Sequence, residues 1–135
     1  MKGVAGSEVR LGIVIPIAGQ LELVRRLMTS LDSFCEERVR IVLVLDGPQD
    51  ARANEIERLV ANSRHFPELV QKSQNEGFPR AVNLGVSELD TEFVGIINSD
   101  VVVTPSFDSR LLEALSVNAS RGVVVPVTNA GNFSR

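Results

Sequence analysis

Continuous apolar runs alternate along this chain with segments of helical periodicity, and that alternation constrains the fold more than any other feature. Leu11 to Ile17, closed by Pro16, and Val39 to Leu45 are the first two runs, with Phe93 to Ile97 and Gly122 to Val127 further on. Glu68 to Gln71 is expected as a short strand between them, and Val101 to Val103 as a brief additional one. A strand buried on both faces reads as an unbroken apolar run, and helices between such strands cover both sides of a mostly parallel sheet.

The intervening segments have the period of amphipathic helices. Gln20 to Phe34 places Leu21, Val24, Leu27, Met28 and Leu31 at helical spacing, and Ala51 to Ala61 carries Ile56, Leu59 and Val60. Pro79 to Leu89 offers Ala81, Val82, Leu84 and Leu89, and Ser106 to Val117 offers Leu111, Leu112 and Leu115. With 135 residues, 44% of them hydrophobic, the chain can bury a core without covalent staples. A single α/β domain over residues 1–135 is expected, with residues 1–8 a frayed terminus.

Composition removes several function classes. The net charge of −3 and the six Phe, with no Trp or Tyr, disfavour nucleic acid, since phosphate steering and base-stacking platforms are both scarce. Cys35 is the single cysteine, which excludes an intramolecular disulfide and an intrachain cysteine metal cluster, and fits a reducing cytoplasm. No apolar stretch approaches the roughly 18 residues of a spanning helix, so any membrane contact is expected to be peripheral. Lone His65 lies in a polar connection without a Ser or Cys partner and is read as structural or solvated, and Cys35 as an ordinary packed or surface thiol. The Arg25-Arg26 pair and Glu36-Glu37-Arg38 are read as solvated helix faces.

Three polar clusters stand at strand ends. Asn98-Ser99-Asp100 follows the Phe93 to Ile97 run, which puts a carboxylate at the sheet edge where open α/β folds bind ligands. Mg²⁺ or Mn²⁺ on a diphosphate needs only one or two protein oxygens, so Asp100 is the candidate metal ligand, with Asn98 assisting through its amide oxygen. The plainer reading is a turn with a solvated Asp. Asp46, before Gly47-Pro48, either accepts hydrogen bonds from a base or ribose or, with Asp50, caps the next helix. Asn75-Glu76-Gly77-Phe78-Pro79-Arg80, followed by Asn83 and Gly85, supplies a glycine turn, a proline suited to a helix start and a guanidinium beside it, or else is a routine capped turn. Neither the Gly-x-Gly-x-x-Gly nor the Walker pattern of nucleotide folds occurs.

In this order the motifs resemble the GT-A glycosyltransferases, specifically glycosyltransferase family 2. Val14-Ile15-Pro16 with Gln20-Leu21-Glu22-Leu23 is similar to the family's first strand and loop, Asp46-Gly47-Pro48 to its Asp-Asp-Gly-Ser turn, and Asn75 to Gly85 to its Asn-x-Gly segment. Asn98-Ser99-Asp100 resembles the Asp-x-Asp position, and Val125-Pro126 to Asn129 a Pro-x-x-Asn stretch of some members. The resemblance implies a three-layer αβα sheet of GT-A type, truncated to its nucleotide-sugar-binding front half. It further implies that Asp46 contacts the base or ribose and that Arg80, Asn75, Pro16 and Ile17 border the nucleotide. Asn98, Ser99 and Asp100 would then meet the diphosphate and its divalent cation.

The implied activity is inverting transfer of a sugar from a nucleoside-diphosphate sugar to a glycan or lipid acceptor hydroxyl. The general base is expected beyond Arg135, and either further chain or an oligomer is expected to complete the sheet. Departures from the pattern are Leu45, Ala18, Gly19 and Asn98, which stand where the family often has Asp, an aromatic residue, Asn and Asp. The competing reading is a non-catalytic nucleotide-binding or regulatory α/β module. A flavodoxin-like signalling domain is a third, opposed by the lack of an acidic pair in Pro16-Ile17-Ala18-Gly19.

Overall fold

The computed structural model describes residues 9–18, 20–45, 47, 52–74, 76–117 and 122. In chain order these form β1 (Leu11–Ile17), α1 (Leu21–Phe34), β2 (Arg40–Leu45), α2 (Ala53–Asn62), β3 (Glu68–Gln71), α3 (Phe78–Ser87), β4 (Phe93–Ile96) and α4 (Phe107–Ser116). The four strands make one parallel sheet in the order β3-β2-β1-β4. All seven residues of β1 are buried, as an inner strand covered on both faces requires.

The sheet separates two apolar layers. Ile13, Ile15, Ile17, Ile41, Leu43 and Leu45 point to one face, where α1 packs Val24, Leu27, Met28 and Leu31 and α2 packs Ile56. Val14, Val42 and Val44 point to the other, against Ala81 and Leu84 of α3. The period of two along each strand makes this division, and the arrangement is the expected three-layer αβα sandwich. Phe107 and Leu112 of α4 pack against the α1 layer. Asp108, 1% exposed, fixes that helix by accepting hydrogen bonds from the backbone N–H groups of Glu36 (2.8 Å) and Glu37 (3.0 Å).

Two local expectations need correction. Val101 to Val103 is not a strand: Val103 is buried and donates its N–H to Ser30 Oγ at 3.0 Å, so the segment is tied to α1 and not to the sheet. Glu36 to Arg38 lie past the end of α1, where two of their amides serve Asp108. Of the two readings of His65, the structural one holds: the ring is fully buried, and its Nδ1 accepts the Val39 N–H at 3.1 Å while Nε2–H donates to the Leu31 carbonyl at 3.1 Å. Cys35 is buried and free; burial, with Asp108 nearby, pushes its thiol up to about 12, far from a nucleophile's range. The expected last strand, Gly122 to Val127, and the Val125 to Asn129 stretch lie outside the described residues apart from Gly122.

Candidate functional site

The chain runs outward from β1 to β2 to β3 and then returns to the other side of β1 with β4. A strand order that reverses at one strand leaves a crevice at the carboxyl ends there, because the flanking connections depart in opposite directions. The pairing register shows how the crevice opens. β1 pairs with β2 as far as Ile17, opposite Leu45, but with β4 only as far as Val14, opposite Ile96, beyond which Ile97 N–H still reaches the Val14 carbonyl. Backbone groups alternate sides along a strand, so the nitrogen of Pro16 faces the β4 side, where the ladder has already ended. Proline, which has no N–H to donate, therefore costs no sheet bond at this place.

A cleft of about 400 Å³ occupies this divergence, within the usual range for small-molecule sites. Pro16, Ile17 and Ala18 of the β1 end, Leu23 of α1, Val44 of β2, and Phe78 and Ala81 of α3 line it together with Asn98, Ser99 and Asp100. Among the described residues, one part of the lining is thus apolar, and the polar groups come from the connection after β4. Asn98 and Asp100 are exposed, whereas Ser99 is buried. The Ser99 hydroxyl donates to the Ala18 carbonyl at 2.6 Å and accepts the Ala18 N–H at 3.0 Å, clasping the β1 and β4 ends across the crevice. Both of its hydrogen-bonding functions are engaged within the protein.

The structure brings together five of the candidate residues, Pro16, Ile17, Asn98, Ser99 and Asp100, on one cleft. Asp46 and Asn75 lie outside the described residues. Arg80 is exposed, does not line the cleft, and pairs with Glu76 at 3.0 Å one helical turn back. Glu76 in turn meets buried Lys72 at 3.1 Å. Ala18, Leu23, Val44, Phe78 and Ala81 also line the cleft without being sequence candidates; Phe78, the largest of them, stands in the Asn75 to Arg80 segment, whose composition points to a glycine turn and a helix start. Gly77 beside it has φ of 91°, a left-handed value that favours glycine, and α3 starts immediately after it with Pro79 in its first turn.

Chemically the cleft offers a dry apolar wall and, at one side, a carboxylate and an amide. Among the described residues no three His, Cys, Asp or Glu side chains gather as a metal cage, so a cation here would draw most of its oxygens from a ligand and water. Among the described residues, no helix is long and apolar enough to cross a membrane.

Comparison with known proteins follows this geometry. The model of the family described as Glycosyl transferase family 2 matches residues 12–134. No curated protein matches the sequence. Among solved structures, S. aureus TarS is similar with a TM-score of 0.70 at 17% identity, over 87% of this chain and 23% of that one. S. aureus TarS 1-349 in complex with UDP-GlcNAc is similar with a TM-score of 0.71 at 17% identity, over 88% of this chain and 37% of that one. The structure of TarS 1-349 gives a TM-score of 0.70 at 17% identity over 88% and 39%. At such identity the likeness is one of fold, and this chain spans well under half the length of those chains.

Proposed function

Because this chain belongs to glycosyl transferase family 2 and has the α/β fold of the GT-A enzymes, we propose that its cleft binds the nucleoside-diphosphate sugar of an inverting glycosyl transfer. The observation that carries the proposal is the cleft itself: an apolar wall from β1, α1 and α3 meets Asn98 and Asp100 at the point where the strand order reverses. The solved complex of S. aureus TarS 1-349 with UDP-GlcNAc supports it by placing that class of ligand on a similar fold.

In this reading the nucleoside lies along the apolar lining, and the diphosphate points toward the connection after β4. Asp100 and Asn98 present oxygen donors of the hard type that Mg²⁺ or Mn²⁺ takes, so they would hold such a cation, with phosphate and water oxygens filling its other positions. When bound, the cation would stabilise the negative charge that develops on the departing diphosphate. Ser99 keeps the two sides of the cleft at fixed separation through its paired bonds to Ala18. The acceptor is a glycan or lipid hydroxyl whose oxygen bonds to the anomeric carbon as the bond from that carbon to the diphosphate oxygen breaks on the opposite side, its proton passing to a general base outside the residues named above.

Calorimetric titration with UDP, dTDP and GDP, with and without Mn²⁺, tests the proposal. Cation-dependent binding of at least one nucleotide, weakened about tenfold or more in Asp100→Ala, is the expected result. A folded chain that binds none of the three under either condition would overturn it.

A further inference from the structure

We propose that the ring of Phe78 is the platform on which the planar base of the donor nucleotide stacks, which makes Phe78 a base-binding residue that adds affinity for any nucleotide; the inference rests on the donor-binding reading above. Among the described residues lining the cleft, Phe78 is the one aromatic side chain. The rest of the apolar lining, Pro16, Ile17, Ala18, Leu23, Val44 and Ala81, is aliphatic. Among the described residues, a flat heterocycle entering this cleft therefore meets a π-face on α3, and base-aromatic stacking is tolerant of which base is present.

Exposure points the same way. Phe78 is 54% exposed at the cleft, whereas Ala81, three residues on along α3, is 2% exposed against the sheet. A large apolar ring open beside a concave site with convergent polar groups is available for contact with a ligand. The ring is also well placed in advance of binding. Gly77 turns the chain with φ of 91°, and Phe78 and Pro79 then begin a helix whose Ala81, Val82 and Gly85 are buried. A side chain at the start of a helix packed onto the sheet has little backbone freedom to lose when a ligand arrives. Asn98 and Asp100 supply the polar end of the same cleft, so the base on α3 and the diphosphate beside the β4 connection give the ligand one direction.

The test compares UDP, GDP and inorganic pyrophosphate, each with Mn²⁺, on the wild-type chain and on Phe78→Ala, Phe78→Leu and Phe78→Tyr. Phe78→Ala is expected to weaken both nucleotides by about 5- to 150-fold and to leave pyrophosphate unchanged, since pyrophosphate has no base. Phe78→Tyr retains nucleotide affinity, and Phe78→Leu, which keeps the bulk but not the ring, falls between. Circular dichroism and thermal melts confirm folding, and if the alanine variant melts early the leucine and tyrosine variants decide. Equal losses for nucleotides and pyrophosphate, or no loss in any variant, would overturn the role of Phe78 while leaving donor binding intact. A wild-type chain that binds neither nucleotides nor pyrophosphate would defeat the donor reading itself, and this inference with it.

Discussion

Replacing Gly85 by alanine tests whether α3 is held against the sheet as closely as its position implies. A Cβ at Gly85 would stand 2.4 Å from Val14 Cγ1 and 3.1 Å from both Val14 Cγ2 and Val44 Cγ2. Carbon atoms pack best at about 3.5–4.0 Å, so the nearest contact is short by about 1 Å. Val14 cannot easily give way: it is fully buried in a strand paired on both sides, and its branched side chain has few χ1 alternatives. Overpacking of this kind costs about 1–3 kcal/mol, while alanine in place of glycine in a helix returns about 1 kcal/mol. Because the clash falls on an immobile valine, the upper half of the first range applies, and the net expectation is destabilisation of about 1–2 kcal/mol. Urea unfolding would register this as a lower midpoint at constant slope. A double-mutant cycle with Val14→Ala should show favourable coupling of about 1 kcal/mol or more, since the smaller side chain makes room for the new methyl. A Gly85→Ala variant more stable than the wild type, or strictly additive with Val14→Ala, would refute the packing argument.

Two further outcomes follow from single side chains. Ser99→Ala removes both bonds to Ala18 and leaves a partly buried N–H and carbonyl without partners; a loss of about 1–3 kcal/mol is expected in chemical denaturation, with faster hydrogen exchange at Ala18. His65 is held neutral in the fold, chiefly because burial disfavours its charged form, and its pKa lies below the ordinary 6.5. Protonation would also put a proton on Nδ1 where the Val39 N–H already points, although Asp32, 3.9 Å from Nε2, partly opposes this. The unfolded chain then takes up a proton that the folded chain refuses, so stability falls as the pH drops below about 6.5. Unfolding measured from pH 7.5 downward should show that decline, and His65→Gln should flatten it.

The fold was legible because its strongest signals are local. The uninterrupted runs of β1 and β2 announced inner strands, and the 3.6-residue spacing of Val24, Leu27, Met28 and Leu31 announced the buried face of α1. What misled was decided by distant partners. Val101 to Val103 has strand composition, but a serine hydroxyl 73 residues away claims the amide of Val103. Which of the two readings of His65 holds was also decided at a distance, since its ring is buried and bonds to backbone groups 26 and 34 residues off. The cleft was half legible for the same reason. Asn98 and Asp100 stand at a strand end that periodicity can locate, whereas the clasp made by Ser99 and the exposure of Phe78 depend on how β1, β4 and α3 meet. Arg80 looked suited to a phosphate from its place at a helix start, but a carboxylate one turn away in its own chain engages it.

The clasp between Ala18 and Ser99 joins residues 81 apart in sequence. Closing so long a loop carries an entropic cost that is recovered only when β4 docks beside β1. By this reasoning the two sides of the cleft would reach their final separation late on the folding path, after the units between them have formed. A ligand spanning both sides would have nothing to grip in the earlier species, so its binding energy would accumulate on the native side of the rate-limiting barrier. Nucleotide would act on this chain by lengthening the lifetime of the folded state and would leave the rate of reaching it almost untouched.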